Sequence, residues 1–165
     1  MKVFPKDKKT IVFTKGAYEL ATLTYDSRWS EKAGISFAVG NQYRIESQGI
    51  WKTGYVVRKG TRTIVSMRTK WTGNVALEIH ETGNKASFTF RKKSFWNERY
   101  ELIDKDNFVL GTIVSRFSWK SFSTDYELSF SPRFEALGQH VLLSVLLVFM
   151  LRSVMSHNGY VMIPA

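Results

Sequence analysis

Residues Val141 to Leu151 read VLLSVLLVFML. The stretch holds one hydroxyl, at Ser144, and no charge, glycine or proline. A helix that is apolar on every side cannot lie on a water-facing surface, so protein or lipid must enclose it. Crossing a bilayer takes roughly 20 apolar residues, and a run shorter than that belongs more often to a core helix. Arg133, Glu135, Gln139 and His140 precede the run, and Arg152 and His157 follow it. The expectation is a helix buried in protein, threaded through a β-barrel built by everything before it. A C-terminal membrane anchor is the competing reading. Ser131-Pro132 marks the start, with a serine cap, a proline at the first helical position and Glu135 near the positive end of the dipole. The central helix is thus expected over 132–157, with Asn158-Gly159 as its C-cap and Tyr160 to Ile163 as a short closing strand.

Upstream, the pattern changes to short runs rich in aromatic and β-branched residues, separated by turn residues. Strands are expected at Ile11 to Phe13, Ala17 to Tyr25, Ile35 to Val39, Tyr43 to Glu46, Trp51 to Arg58, Arg62 to Lys70, Val75 to His80, Lys85 to Arg91, Asn97 to Ile103, Phe108 to Ser115 and Thr124 to Phe130. Gly16, Gly40, Gly60, Gly73 and Gly83 fall in the connections, where tight turns need positive φ. Val75, Leu77 and Ile79 share one parity, and Ala86, Phe88 and Phe90 fall opposite them if residues 81–84 form the loop, so one register suits both strands. About a dozen short strands at this spacing, followed by a helix, predict a mainly β, closed antiparallel barrel around a buried C-terminal helix, in one domain over 1–165. Residues 1–9 carry four lysines and are expected to fray.

The 165-residue chain has no cysteine, which removes disulfides, thiolate metal sites and a cysteine nucleophile. The segment MKVFPKDKKT has no apolar signal-peptide core, so a cytoplasmic location is expected. The formal net charge is +10, a balance that favours anionic partners: nucleic acid, anionic lipid or phosphorylated ligands.

The charge is concentrated. From Lys52 to Lys93 there are ten cations and two anions, Glu78 and Glu81, so the segment holds eight of the ten net charges. With Gly60 at the hairpin centre, Arg58 would face Arg62 and Lys52 would face Arg68, while Tyr55 meets Val65 and Thr53 meets Met67 on the apolar side. Facing like charges weaken a sheet by roughly 0.2–1 kcal/mol per pair, and a phosphate between them could offset that. Lys85, Arg91 and Lys93 share the outward parity, and Lys70 ends the second strand. Lys52, Arg58, Arg62, Arg68, Lys70, Lys85, Arg91 and Lys93 are therefore the candidate anion-binding residues, against the plainer reading of a solvated, edge-protecting face. Trp51, Trp71, Trp96 and Trp119 lie at strand ends or in loops, as barrel-end plugs or as groups for a membrane interface or base stacking.

The sequence YELIDKDNFVLGTIVSRFSWKSFSTDYELSF, followed by the apolar helix, resembles the tubby C-terminal-like superfamily, with its LURP-one-related and phospholipid scramblase-like members. The residues carrying it are Tyr100-Glu101-Leu102, the turn 104–107, Leu110-Gly111-Thr112, Tyr126-Glu127-Leu128 and the helix from Phe134 to Met155. The resemblance implies about twelve strands around a central hydrophobic helix. Tubby proteins bind phosphoinositides through basic residues, but none of those residues maps onto this chain. The cysteine-rich and calcium-binding segments of scramblase-like members are missing.

No catalytic constellation is legible. His80, His140 and His157 lack metal spacing, and no Gly-x-Ser-x-Gly, Walker or Gly-x-Gly-x-x-Gly motif occurs. Residues 104–107 fail as a calcium loop because Phe108 and Val109 stand where an oxygen ligand and glycine are needed. Tyr18-Glu19-Leu20 repeats the tripeptide at 100 and 126 and predicts inward Tyr and Leu with outward Glu. The expected function is a non-catalytic, cofactor-free module that binds anionic lipid or a phosphorylated ligand peripherally through its basic face. Nucleic-acid binding ranks second, since RNP-type aromatics and a helix free to enter a groove are missing. A lipocalin-like carrier would need an empty barrel.

Overall fold

The computed structural model describes residues 1–27, 30–49, 54–81, 84–94, 99–118 and 123–157. Twelve antiparallel strands form one closed barrel in which every strand pairs with its sequence neighbours. They are β1 (Lys2–Pro5), β2 (Thr10–Lys15), β3 (Tyr18–Tyr25), β4 (Ala33–Phe37), β5 (Gln42–Gln48), β6 (Gly54–Lys59), β7 (Arg62–Thr69), β8 (Val75–Glu81), β9 (Asn84–Ser94), β10 (Arg99–Asp104), β11 (Val109–Ser118) and β12 (Ser123–Phe130). β1 closes the ring against β12 at Val3↔Tyr126. The N-terminal segment, expected to fray, is here a strand from Lys2 to Pro5. Its lysines hide one inward residue, Val3, which is buried, while Asp7 Oδ1 accepts from the Lys9 and Thr10 amides and folds the charged part into a turn.

Alternation sets the core. Leu23 and Tyr25 on β3, Val57 on β6, Leu77 and Ile79 on β8 and Phe90 on β9 are buried, and they join one apolar cluster with Leu142, Leu143 and Val145 to Leu151. The β8–β9 register is the expected one, Val75↔Phe90, Leu77↔Phe88 and Ile79↔Ala86. The tripeptide pattern holds at Tyr100 and Leu102, which are buried, but Tyr18 is 78% exposed. It stands at the β2–β3 turn opposite Lys15, beyond a register shift that sets Thr14 against Glu19.

The C-terminal stretch is two helices, α1 (Pro132–Glu135) and α2 (His140–His157). The Ser131 side chain accepts from the Phe134 amide at 3.2 Å, as a cap should. Helix does not run on from 132, because residues 136–139 make a turn, with Leu137 N–H bonding the Phe134 carbonyl. Gly138 lies in it, and glycine costs a helix about 1 kcal/mol. Ser144 Oγ donates to the His140 carbonyl at 2.7 Å. Phe149 stacks on Tyr25 with centroids 5.9 Å apart and meets Tyr55 edge-on at 5.1 Å. No described helix is long and apolar enough to cross a membrane. The expected cap at Asn158-Gly159 and strand at 160–163 lie outside the described residues.

Because consecutive strands alternate direction, the C-terminal ends of β1, β3, β5, β7, β9 and β11 share one end of the barrel, where the described residues 6–9, 26–27, 30–32 and 70–74 stand. We call it the Trp71 end. At the other, the Asp104 end, the chain leaves β12 for α1, and Arg133 pairs with Asp104 at 3.1 Å.

Candidate functional site

The β6–β7 hairpin turns one step away from the expected register. Lys59 faces Arg62 across Gly60-Thr61, Arg58 faces Thr63, and Val57 faces Val65, with a shift between Val57 and Arg58. Ile64 is the extra residue. Hence Arg58 does not meet Arg62, Tyr55 meets Met67 rather than Val65, and Arg68 faces Gly54. Lys52 and Thr53 lie outside the described residues. A like-charge pair does occur one strand away, where Arg58 faces Arg44. Each has its own carboxylate: Arg44 forks onto Asp26, and Arg58 Nε lies 3.5 Å from Glu46.

Arg58, Arg68, Lys85, Arg91 and Lys93 face outward, but most of them are already partnered. Lys85 Nζ is 2.9 Å from Glu78. Arg91 and Lys93 both converge on Glu101 of β10, at 3.1 and 2.6 Å. The Glu101 side chain is only 2% exposed. Burial alone would raise its pKa, yet the hydrogen bonds and charges of Lys93 and Arg91 outweigh it and hold the carboxyl below its ordinary range. The Lys85 hydrogen bond does the same for Glu78. Arg62 also has a partner. Of the expected site residues that are described, Arg68 and Lys70 alone make no side-chain ion pair or hydrogen bond among the described residues.

The cations without a carboxylate partner lie elsewhere than the middle of the wall. Lys70 is exposed in the β7–β8 connection beside Trp71, which is 98% exposed. Lys6, Lys8, Lys9 and Lys32 are exposed in the β1–β2 and β3–β4 connections of the same end. Two of the nearby acids are turned to other work: Asp7 accepts amides of its own turn, and Asp26 holds Arg44. Lys9 Nζ reaches only a backbone oxygen, that of Asp26, at 3.4 Å. Lys70 is among the candidates expected from the sequence, whereas Lys6, Lys8 and Lys9 are missed because residues 1–9 are expected to fray, and no sequence pattern singles out Lys32. Trp51, Trp96 and Trp119 lie outside the described residues.

One pair has the beginnings of catalytic geometry. Ser66 Oγ lies 2.9 Å from His80 Nε2 on the outer wall. A nucleophile needs its base oriented by a third group and a set of oxyanion donors. Among the described residues nothing bonds the other ring nitrogen, and the pair sits on a convex strand surface. His140 Nδ1 contacts the Leu137 carbonyl at 2.8 Å, which satisfies it as an end group. Asp104 Oδ1 accepts from the Asp106 and Phe108 amides, the geometry of a hairpin turn. No group of His, Asp and Glu among the described residues could hold a metal. No protein-family model, curated protein or solved structure matches this chain.

Proposed function

We propose that this protein is a non-catalytic binding module that docks peripherally on anionic lipid or a phosphorylated ligand. One observation carries the reading. Wall cations are tied to Glu46, Glu78 and Glu101, while Arg68, Lys70, Lys6, Lys8 and Lys32 make no side-chain ion pair with any described residue. Cations held in internal ion pairs have little left for a partner; unpaired, solvated ones attract anions over a Debye length. In this reading α2 runs along the barrel axis and fills it, so the outside is the binding surface. Support comes from Leu143 and Val145 to Leu151, none more than 2% exposed, and from the stacking of Phe149 on strand residues. The same arrangement supports the likeness to the tubby C-terminal-like superfamily.

The test is co-sedimentation with neutral phosphatidylcholine vesicles and with vesicles containing phosphatidylserine, across a salt series. Binding is expected only with the anionic lipid and weakening as salt rises. Equal binding to neutral vesicles, or tighter binding to DNA or RNA with a steep log–log salt slope, would overturn the lipid reading.

A further inference from the structure

We infer that the protein meets a bilayer end-on, with the Trp71 end of the barrel down, and this orientation rests on the lipid reading above. Of the five tryptophans in the sequence, Trp71 is the one among the described residues; it stands in the β7–β8 connection at this end and is 98% exposed. Tryptophan prefers the headgroup level of a membrane, where its ring is apolar and its N–H is wet. A fully exposed Trp beside Lys70 gains nothing in water and has a natural place there.

The lysines argue for a surface over a small anion. Lys6, Lys8 and Lys9 stand in one connection, Lys32 in a second and Lys70 in a third, with β5 and β6 between the last two. A free phosphate needs donors converging on one point. Cations spread round a rim match a plane of negative headgroups, each lysine near the surface strengthening attachment about fivefold. The Asp104 end exposes Tyr18, Val39 and Phe108 and also carries Lys15, but its Asp104-Lys105-Asp106 turn carries net negative charge, Lys59 is bonded to Asn41, and Arg133 is engaged by Asp104 and by the Phe108 ring, 5.1 Å from its centroid.

The experiment compares phosphatidylserine-vesicle binding of the parent chain, a Lys6→Gln, Lys8→Gln, Lys70→Gln variant, a Trp71→Ala variant, and a Tyr18→Ser, Val39→Ser variant of the opposite end. All substitutions are on exposed residues, and circular dichroism checks that each variant folds. We expect the lysine variant to lose about fivefold per charge removed, Trp71→Ala to bind more weakly than the parent, and the opposite-end variant to bind like the parent. Vesicles should also blue-shift the tryptophan emission, and brominated lipids should quench it. Parent-like binding by both rim variants, or binding without an emission change, overturns the orientation and leaves the lipid reading standing. Absence of vesicle binding by the parent overturns both.

Discussion

Arg152 lays its guanidinium over the ring of Tyr25, 4.1 Å from the centroid. It also donates to the Lys8 carbonyl at 3.2 Å. One side chain near the end of α2 thus ties the helix to β3 and to the β1–β2 turn. A partly desolvated cation–π contact is worth about 0.5–2 kcal/mol and a hydrogen bond about 0.5–1.5. Arg152→Ala should lower stability by about 1–3 kcal/mol in urea unfolding. Lysine should restore only part of the loss, because an ammonium does not stack as a planar guanidinium does. An unchanged midpoint would show that the helix end is held by other contacts.

Leu146 is wholly buried. Leu146→Ala should cost about 2–5 kcal/mol, through lost transfer energy and the cavity left behind. Leu147→Lys should abolish soluble expression, since the ammonium would be buried without a partner. Normal yield and an unshifted midpoint in either variant would place that residue against solvent.

Glu101 gives the protein a pH signature. Its carboxyl is held below the ordinary glutamate value of about 4.3. A group whose pKa is depressed on folding contributes stability that is complete above the unfolded value and is lost as pH falls through the folded one. Glu101→Gln should therefore destabilise by about 1–3 kcal/mol at pH 7. The gap between parent and variant should close as pH drops below the ordinary carboxylate range. Parallel stability curves down to pH 3 would contradict the ion-pair assignment.

Gly111 lies under the ring of its cross-strand partner Phe130. A Cβ there would stand 2.7 Å from Phe130 Cδ1, and that ring is itself stacked on Phe134 at 4.3 Å. Gly111→Ala should cost about 1–3 kcal/mol by overpacking. Combined with Phe130→Leu, the loss should be less than the sum of the two single losses, because the shorter side chain makes room. Strict additivity would mean that the ring moves aside freely.

The legible parts of the fold were those with a strong period. Val75, Leu77 and Ile79 against Ala86, Phe88 and Phe90 leave one register that buries both sets. Between Arg58 and Arg62 parity alone could not reveal a two-residue turn with Ile64 as the extra residue, and the pairing moved. Arg91 and Lys93 lie on the outer face as their parity implies, but the carboxylate that holds them is not legible in the sequence. Glu101 is remote in sequence from Arg91 and reaches it only because β10 pairs with β9. β1 escaped notice because one buried valine among lysines makes no pattern. The helix broke after Glu135, where the apolar run had not yet begun.

The seam at Val3↔Tyr126 has a consequence for biogenesis. A ribosome releases β1 ten strands before its second partner, β12. Until then the nascent chain carries two open strand edges, the kind that recruit other strands and aggregate. Ring closure between such distant residues also slows folding. Cells making this protein quickly should need chaperones that shield the unfinished edges, and a permuted chain that joins β12 directly to β1 should mature faster than the natural order.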